Sequence, residues 1–315
     1  MKDINFQKEL SKKGGLINSL KEFTDSNTLL YMVASVLLNG RDKVSLQLVQ
    51  MGKRNKIKRR LYKKYKKSIC SPLNITQNVN EPSDYVWTSW LQGEKKSPQI
   101  IKNCIDSIKS AFPNKKVIVV DKENLSKYVD FPDFILEKWD QGIITNAHFS
   151  DLVRLKLLIK YGGAWVDSTI LFKSLPDDIN SLFEEDLFFF QNLSSDRWGK
   201  SIWLSSWFII SKKNNELLCR LDEILMDYWK NNNKLIDYFL FHTFLVILLE
   251  EHKDISKKVR KRSSSLPLTL LTELKEEYSA ENLSDIFETY PIQKITYKES
   301  QMSKSYFEYF SQNPE

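Results

Sequence analysis

The chain has 315 residues, 42% hydrophobic and 12% aromatic, which supplies a sizeable core and excludes a disordered chain. Its three cysteines, Cys70, Cys104 and Cys219, are widely spaced and odd in number, so they form neither a disulfide framework nor a zinc cluster; a reducing compartment fits them best. The formal charge of +7 is local, because residues 53–67 (KRNKIKRRLYKKYKK) hold ten Lys or Arg and no acid, and the rest of the chain has 37 bases against 40 acids.

The opening residues MKDINFQKEL lack the apolar centre of a signal peptide. The longest apolar runs, within 29–38 and 238–249, are about a dozen residues, whereas a membrane-spanning helix needs roughly 20. Residues 1–70 read as helical, since LLYMVASVLL and the basic stretch continue without Pro and with little Gly. SPLNITQNVNEPSD, with Pro72 and Pro82, then breaks the pattern and reads as a linker. The expected organisation is a helical basic region at 1–70 and an α/β domain at 71–315.

Residues 85–90 form a short aromatic and β-branched run, read as a strand. Ser97-Pro98 offers an N-cap and a first-turn proline for a helix carrying Ile101, Cys104, Ile105 and Ile108 on one face. KVIVV, 116–120, reads as a buried strand, so the segment is a βαβ unit and predicts a parallel sheet. A helix follows at about 149–160, ended by Gly162 and Gly163. AWVDSTILF, 164–172, reads as a strand interrupted at Asp167. Strands at 187–191 and 203–211 and helices at 214–230 and 237–250 complete the assignable pattern, and the region after Ser256 is charged and gives no clear period.

An acid inside an apolar strand demands an explanation, because an unpaired buried carboxylate is costly. At the carboxyl end of a strand Asp167 would face the crevice where open α/β sheets bind ligands; as the alternative, it is half of a buried ion pair. SDLVRLKLLIKYGGAWVDST, 150–169, resembles the DxD-containing region of the family 32 glycosyltransferases, most nearly the bacterial capsular polysaccharide synthesis proteins. VWTSWLQG, 86–93, resembles their first strand and donor-binding turn, and DYFLFH, 237–242, continues the likeness weakly.

The resemblance implies a GT-A-type fold, a mixed sheet flanked by helices with an N-terminal helical appendage. It also implies a UDP-hexose donor (galactose or glucose), a manganese or magnesium ion, and retention of anomeric configuration. Asp167 would hold the metal, with Thr169 standing where a full DxD has its second acid, and His242 as a late contributor. Asp151, Asp167 and Asp237 are the candidate catalytic acids. Ser150, Asp151, Arg154, Gly163 and Thr169 would lie at the donor sugar and diphosphate, and Trp90 and Gln92 at the nucleotide, with Trp87 a weaker candidate.

Each of these also has a plain structural account. Ser150 and Asp151 would cap a helix, Gly163 would end it, His242 would sit in the core, and aromatics of a first strand are usually core residues. The basic stretch is either a solvated helix face or an attachment to an anionic membrane surface, where a polyprenyl-diphosphate-linked acceptor resides. The second option gives a cytoplasmic protein peripheral to the inner face of a bacterial cell membrane. The chief rival from another class is a nucleic-acid-binding protein whose basic stretch tracks phosphates; against it, the body is slightly acidic and no recognition motif is present, so nucleic acid is not an expected partner. A glycoside hydrolase would need a second catalytic carboxylate that the sequence does not display. A catalytically silent scaffold is the remaining alternative, raised by Thr169.

Overall fold

The computed structural model describes Thr24 and residues 28–40, 42–73, 83–193, 201–298 and 303–312. The helical expectation for residues 1–23 and most of the linker expectation, including Pro82, lie outside the described residues. The chain enters through two helices, α1 (Leu29–Asn39) and α2 (Lys43–Cys70). Asp42 starts α2 by accepting hydrogen bonds from the backbone N–H groups of Val44 and Ser45 at 2.9 and 3.1 Å, which satisfies two of the four orphan donors of the first turn.

Along α2 the buried residues recur every fourth position: Val49, Lys53, Ile57, Leu61, Tyr65 and Ile69. That row is a ridge of the kind that packs into the groove of another helix. It packs against two later helices, α6 and α7, introduced below, with the Tyr65 ring edge-on to Phe244 at 5.2 Å. Ile57, Leu61, Tyr65 and Ile69 thereby join one apolar cluster with Trp87 and Trp165 of the sheet. The ten cations of 53–67 divide accordingly. Lys53 is buried, Arg54 and Lys58 are half-buried, and seven (Lys56, Arg59, Arg60, Lys63, Lys64, Lys66 and Lys67) are exposed.

The central sheet has the order β2-β1-β3-β6-β5. Strand β1 (Tyr85–Ser89) leads through helix α3 (Gln99–Ala111) to β2 (Lys116–Val120), and the two strands are parallel, as the βαβ reading requires. Pro98, rather than Ser97, is the residue preceding α3, and the Ser97 hydroxyl instead bonds back to the Glu94 carbonyl. The chain then passes through α4 (Asp133–Asp140) and α5 (Asn146–Tyr161) to β3 (Gly163–Val166), which pairs parallel to the other edge of β1. Strand β1 therefore has its successor β2 on one side and β3 on the other. This reversal opens a crevice beyond the carboxyl ends of β1 and β3.

Side chains alternate across the sheet with period two. Trp87 and Trp165 face the cluster shared with α2, while Val86, Ala164 and Val166 face a second cluster of phenylalanines.

The interrupted run 164–172 is two strands in two sheets. After β3, Asp167, Ser168 and Thr169 make a turn in which the Ile170 N–H bonds to the Asp167 carbonyl at 3.0 Å. Strand β4 (Ile170–Phe172) then pairs antiparallel with β7 (Ile292–Lys294), outside the main sheet. Strands β5 (Leu187–Gln191) and β6 (Leu204–Ser211) complete the sheet antiparallel to their neighbours and are followed by α6 (Glu216–Asn231) and α7 (Leu240–Glu251). The region after Ser256 contributes α8 (Ala280–Thr289), β7 and α9 (Tyr306–Gln312), with α9 packed on α3.

The mixed α/β architecture, a five-stranded sheet flanked by helices and preceded by N-terminal helices, agrees with the fold class read from the sequence.

Gly162 and Gly163 have φ of 68° and 91°, a region that side chains with a Cβ rarely enter. Gly162 ends α5, and its carbonyl accepts from Trp87 Nε1 at 3.0 Å. A Cβ on Gly163 would run into the Tyr85 carbonyl oxygen across the β1–β3 pairing. Gly163→Ala combines a positive-φ penalty with that backbone clash, so it is expected to lower folding stability by at least about 2 kcal/mol. Equilibrium denaturation measures this; a change below about 0.5 kcal/mol would show that the strands can part at no cost.

Candidate active site

A cavity of about 700 Å³ opens where the reversal predicts a crevice, within the size range of ligand pockets. Its walls come from the ends of β1 and β3, the amino-terminal half of α5, the start of α7 and the segment around β7. Of the residues singled out in the sequence, Trp90, Gln92, Ser150, Asp151, Arg154, Asp167, Thr169 and His242 all line it.

Asp237 and Gly163 do not line it. Asp237 is buried before α7 with its carboxylate 3.7 Å from the Lys53 ammonium, and its Oδ1 accepts from the Phe239 N–H at 2.9 Å. It joins α2 to the loop before α7, a structural task that removes it from the candidate acids. Gly163 sits at the amino end of β3, whereas the cavity lies at the carboxyl end; its place is explained by close strand approach. Trp87 is buried in the core.

The helix expected at about 149–160 starts earlier than its sequence suggested. Helix α5 begins at Asn146, with Thr145 accepting from the His148 N–H, so Ser150 and Asp151 lie in the second turn and do not cap it. Relieved of that task, Asp151 enters a chain of polar contacts. Trp229 Nε1 donates to His148 Nε2 at 3.0 Å, which leaves the imidazole proton on Nδ1, 3.3 Å from Asp151 Oδ2. Asp151 Oδ1 pairs with Arg154 Nη1 at 2.8 Å, and Arg154 Nη2 reaches Asp167 Oδ1 at 3.0 Å. Trp165 Nε1 donates to the same Asp167 oxygen at 2.8 Å.

One guanidinium thus clamps both carboxylates, with its face 4.9 Å from the Trp165 ring centre. Burial alone would raise the Asp151 carboxyl, but Arg154 and His148 outweigh it and hold the group below its ordinary value.

With Oδ1 of Asp167 doubly engaged, Oδ2 is the edge left toward the cavity. Its neighbour is the Lys294 ammonium at 4.0 Å, which also bonds to the Thr169 hydroxyl. Lys294 is delivered by the β4–β7 pairing, opposite Ile170. Burial pushes its pKa below the ordinary lysine value and Asp167 partly offsets that. Lys298 and Tyr297 line the same wall, and the Tyr297 ring stands edge-on to Trp90 at 5.0 Å. Trp90 Nε1 and His242 Nδ1 have no hydrogen-bond partner among the described residues. Burial lowers the His242 pKa to about 4, so at neutral pH its ring is an uncharged acceptor or ligand.

Sequence reading missed His148, Trp165, Trp229, Tyr238 and Lys294. The one local signal available was the spacing of His148, Asp151 and Arg154, three apart on a helix. Nothing local could connect Lys294 to Thr169.

A mixed α/β sheet with a charged cleft at its strand reversal defines a crevice-type ligand-binding protein. Residues 42–312 match the family described as capsular polysaccharide synthesis protein, and the chain belongs to that family. The match extends well beyond the 85–172 segment that carried the resemblance and includes the whole of α2. The chain is similar to the O-glycosyltransferase braB of Annulohypoxylon truncatum, at 30% identity over 161 residues, or 46% of this chain and 37% of that protein. It is also similar to the O-glycosyltransferase PaGT of Phomopsis amygdali, at 31% identity over 101 residues, 31% of this chain and 25% of that protein. The matched segments therefore span well under half of these relatives' own length. Among solved structures, the PaToxG glycosyltransferase aligns at 15% identity with a TM-score of 0.36, covering 75% of this chain and 94% of its own.

Proposed function

We propose that the protein is a retaining glycosyltransferase that moves a hexose, galactose or glucose, from a UDP-sugar to a lipid-linked acceptor. The observation that carries this reading is the arrangement at Asp167: one carboxylate oxygen held by Arg154 and Trp165, the other turned to the cavity beside Lys294 and Thr169. Family membership and the names of the two O-glycosyltransferase relatives support it.

The reaction breaks the bond between the anomeric carbon and the diphosphate and forms one to the acceptor oxygen on the same face. The acceptor hydroxyl proton passes to an oxygen of the departing diphosphate. Negative charge grows on that diphosphate, so cations aimed at it lower the barrier most. Lys294 and Lys298 are the ammonium groups available on the cavity wall, while Arg154 fixes Asp151 and Asp167 in place. Asp151, in the second turn of α5 with Ser150, is suited to sugar hydroxyls. Trp90 and Tyr297 form an aromatic corner suited to the base.

The residues present fit a hard divalent cation such as manganese or magnesium only as a shared site. Asp167 offers one carboxylate oxygen and His242 a neutral nitrogen, while among the described residues no group of three His, Cys, Asp or Glu side chains could hold a metal unaided. When bound, such an ion would neutralise charge on the diphosphate. Metal and nucleotide affinities are then expected to be coupled, each raising the other by the same factor. Calorimetry should find weak metal binding to the free protein, at least tenfold tighter binding with UDP, and no coupling in Asp167→Ala. Equal affinity with and without UDP would contradict the shared site.

The test of the activity itself is a screen of nucleotide sugars for hydrolysis to free nucleotide, with and without metal. Absence of turnover with every hexose donor, under both conditions, would favour the silent scaffold. Among the described residues no helix is long and apolar enough to cross a membrane. The exposed cations of α2 support peripheral attachment to an anionic membrane surface, on the inner face of a bacterial cell membrane where polyprenyl-diphosphate acceptors reside.

A further inference from the structure

Helix α1 is apolar on the face that points away from the protein. Ser35 and Thr28 are buried, while Leu30, Val33, Leu37 and Leu38 are 87%, 46%, 77% and 84% exposed. With Ala34, also exposed, these positions follow the i, i+3, i+4, i+7, i+8 spacing that normally marks a core-facing stripe. The first turns of α2 extend the patch, with Val44, Leu48 and Met51 at 66%, 49% and 39% exposure. From Lys56 onward the outward face of the same helix turns cationic. Among the described residues no ion pair engages its seven exposed Lys and Arg side chains.

The patch is held in a defined place. Tyr31 of α1 packs against the backbone of α2 at Gly52, where a Cβ would meet the phenol ring, and the Lys56 ammonium lies 5.0 Å from the centre of that ring. Immediately after Gly52, Lys53 pairs with Asp237 and the Arg54 guanidinium lies 4.4 Å from the Phe239 ring centre. Tyr238, between those two anchors, is 56% exposed and forms part of the cavity wall. The point where α2 changes from apolar to cationic is thus bolted to the wall of the site.

We propose that the outer face of α1 and α2 docks on an anionic bilayer, with the α1 stripe and the first turns of α2 inserted among the acyl chains and the cations of α2 on the headgroups. Exposed leucines at one end of a helix pair and unpaired cations along the rest complement the acyl region and the charged headgroup layer of one surface. A water-soluble partner protein with an acidic face would match the cations alone and leave the leucines uncovered. Docked this way, the bilayer lies beside the cavity wall at Tyr238. This deepens the glycosyltransferase reading and rests on it for one point only, that the acceptor carries a lipid.

The test uses the full chain and co-sedimentation with vesicles of phosphatidylglycerol and phosphatidylcholine, and with phosphatidylcholine alone. The intact protein is expected to bind the anionic vesicles, at least tenfold more weakly once salt is raised to about 0.5 M. Two triple variants at exposed positions leave the fold intact. Leu30→Ser/Leu37→Ser/Leu38→Ser and Arg59→Glu/Lys63→Glu/Lys66→Glu should each lower vesicle affinity at least tenfold, with donor hydrolysis in solution unchanged. The proposal is overturned by failure to bind anionic vesicles at low salt, or by full binding of the serine variant. It is equally overturned if the intact chain is a dimer that the serine variant converts to monomer, since a second copy would then cover the stripe. Vesicle binding without donor hydrolysis would count against the proposed enzymatic activity and leave the docking surface standing.

Discussion

Asp167→Asn is expected to lower nucleotide-sugar turnover by about a hundredfold or more while leaving the circular dichroism spectrum unchanged. The side chain has two edges with different tasks. Oδ1 accepts from Arg154 Nη2 and Trp165 Nε1, contacts that an amide oxygen can keep making. Oδ2 faces the cavity 4.0 Å from the Lys294 ammonium, and there the substitution puts an amide N–H₂ where an anion stood. The variant therefore retains its local packing but presents donors to a cation and to any metal shared with the diphosphate. Steady-state release of free nucleotide measures the loss. Retention of more than a tenth of wild-type turnover would remove Asp167 from the chemistry and leave it as an ion-pair partner.

Arg154→Met is expected to have the largest effect on stability, a loss of about 3–5 kcal/mol at neutral pH. The guanidinium is 5% exposed and pairs with two carboxylates; removing it leaves Asp167 with Trp165 and Lys294, but leaves Asp151, 10% exposed, with His148 alone. The sign of the pH dependence follows from Asp151. In the wild type its folded pKa is depressed, so its contribution is present above the unfolded value and is lost only as pH falls through the folded one. Without Arg154, burial loses its largest counterweight, only the weaker pull of His148 and His242 remains, and the folded pKa rises. Protonation then relieves the variant as pH falls from neutral toward 4. Urea denaturation at pH 7.5 and pH 5 should show the deficit shrinking at the lower pH; a deficit independent of pH would mean that lost packing, not stranded charge, dominates.

Local sequence was enough to locate most of the elements and the cleft. The aromatic and β-branched run of β1, the KVIVV run and the helix between them determined a parallel pair, because a βαβ crossover admits little else. An acid breaking an apolar strand pointed either to the crevice or to an ion pair, since an unpaired buried carboxylate is costly. Both accounts offered for Asp167 hold at once: it faces the cavity and it is ion-paired.

Tertiary structure alone decided what those residues touch. Lys294 reaches Thr169 across 125 positions of sequence through a three-residue strand pair, and its own strand, β7, has no local signature. The four-residue row of α2 was obscured by the charges between its members. Only the grooves of α6 and α7 show that Ile57, Leu61 and Tyr65 are core residues. The weak resemblance at 237–242 made Asp237 a candidate, and Lys53 claimed it because α2 crosses that loop. Periodicity reports which face of an element is apolar, within about a turn. Which faces meet depends on crossover and packing geometry, and the charge clamp at Arg154 exists only where two such elements, α5 and the end of β3, come within hydrogen-bonding distance.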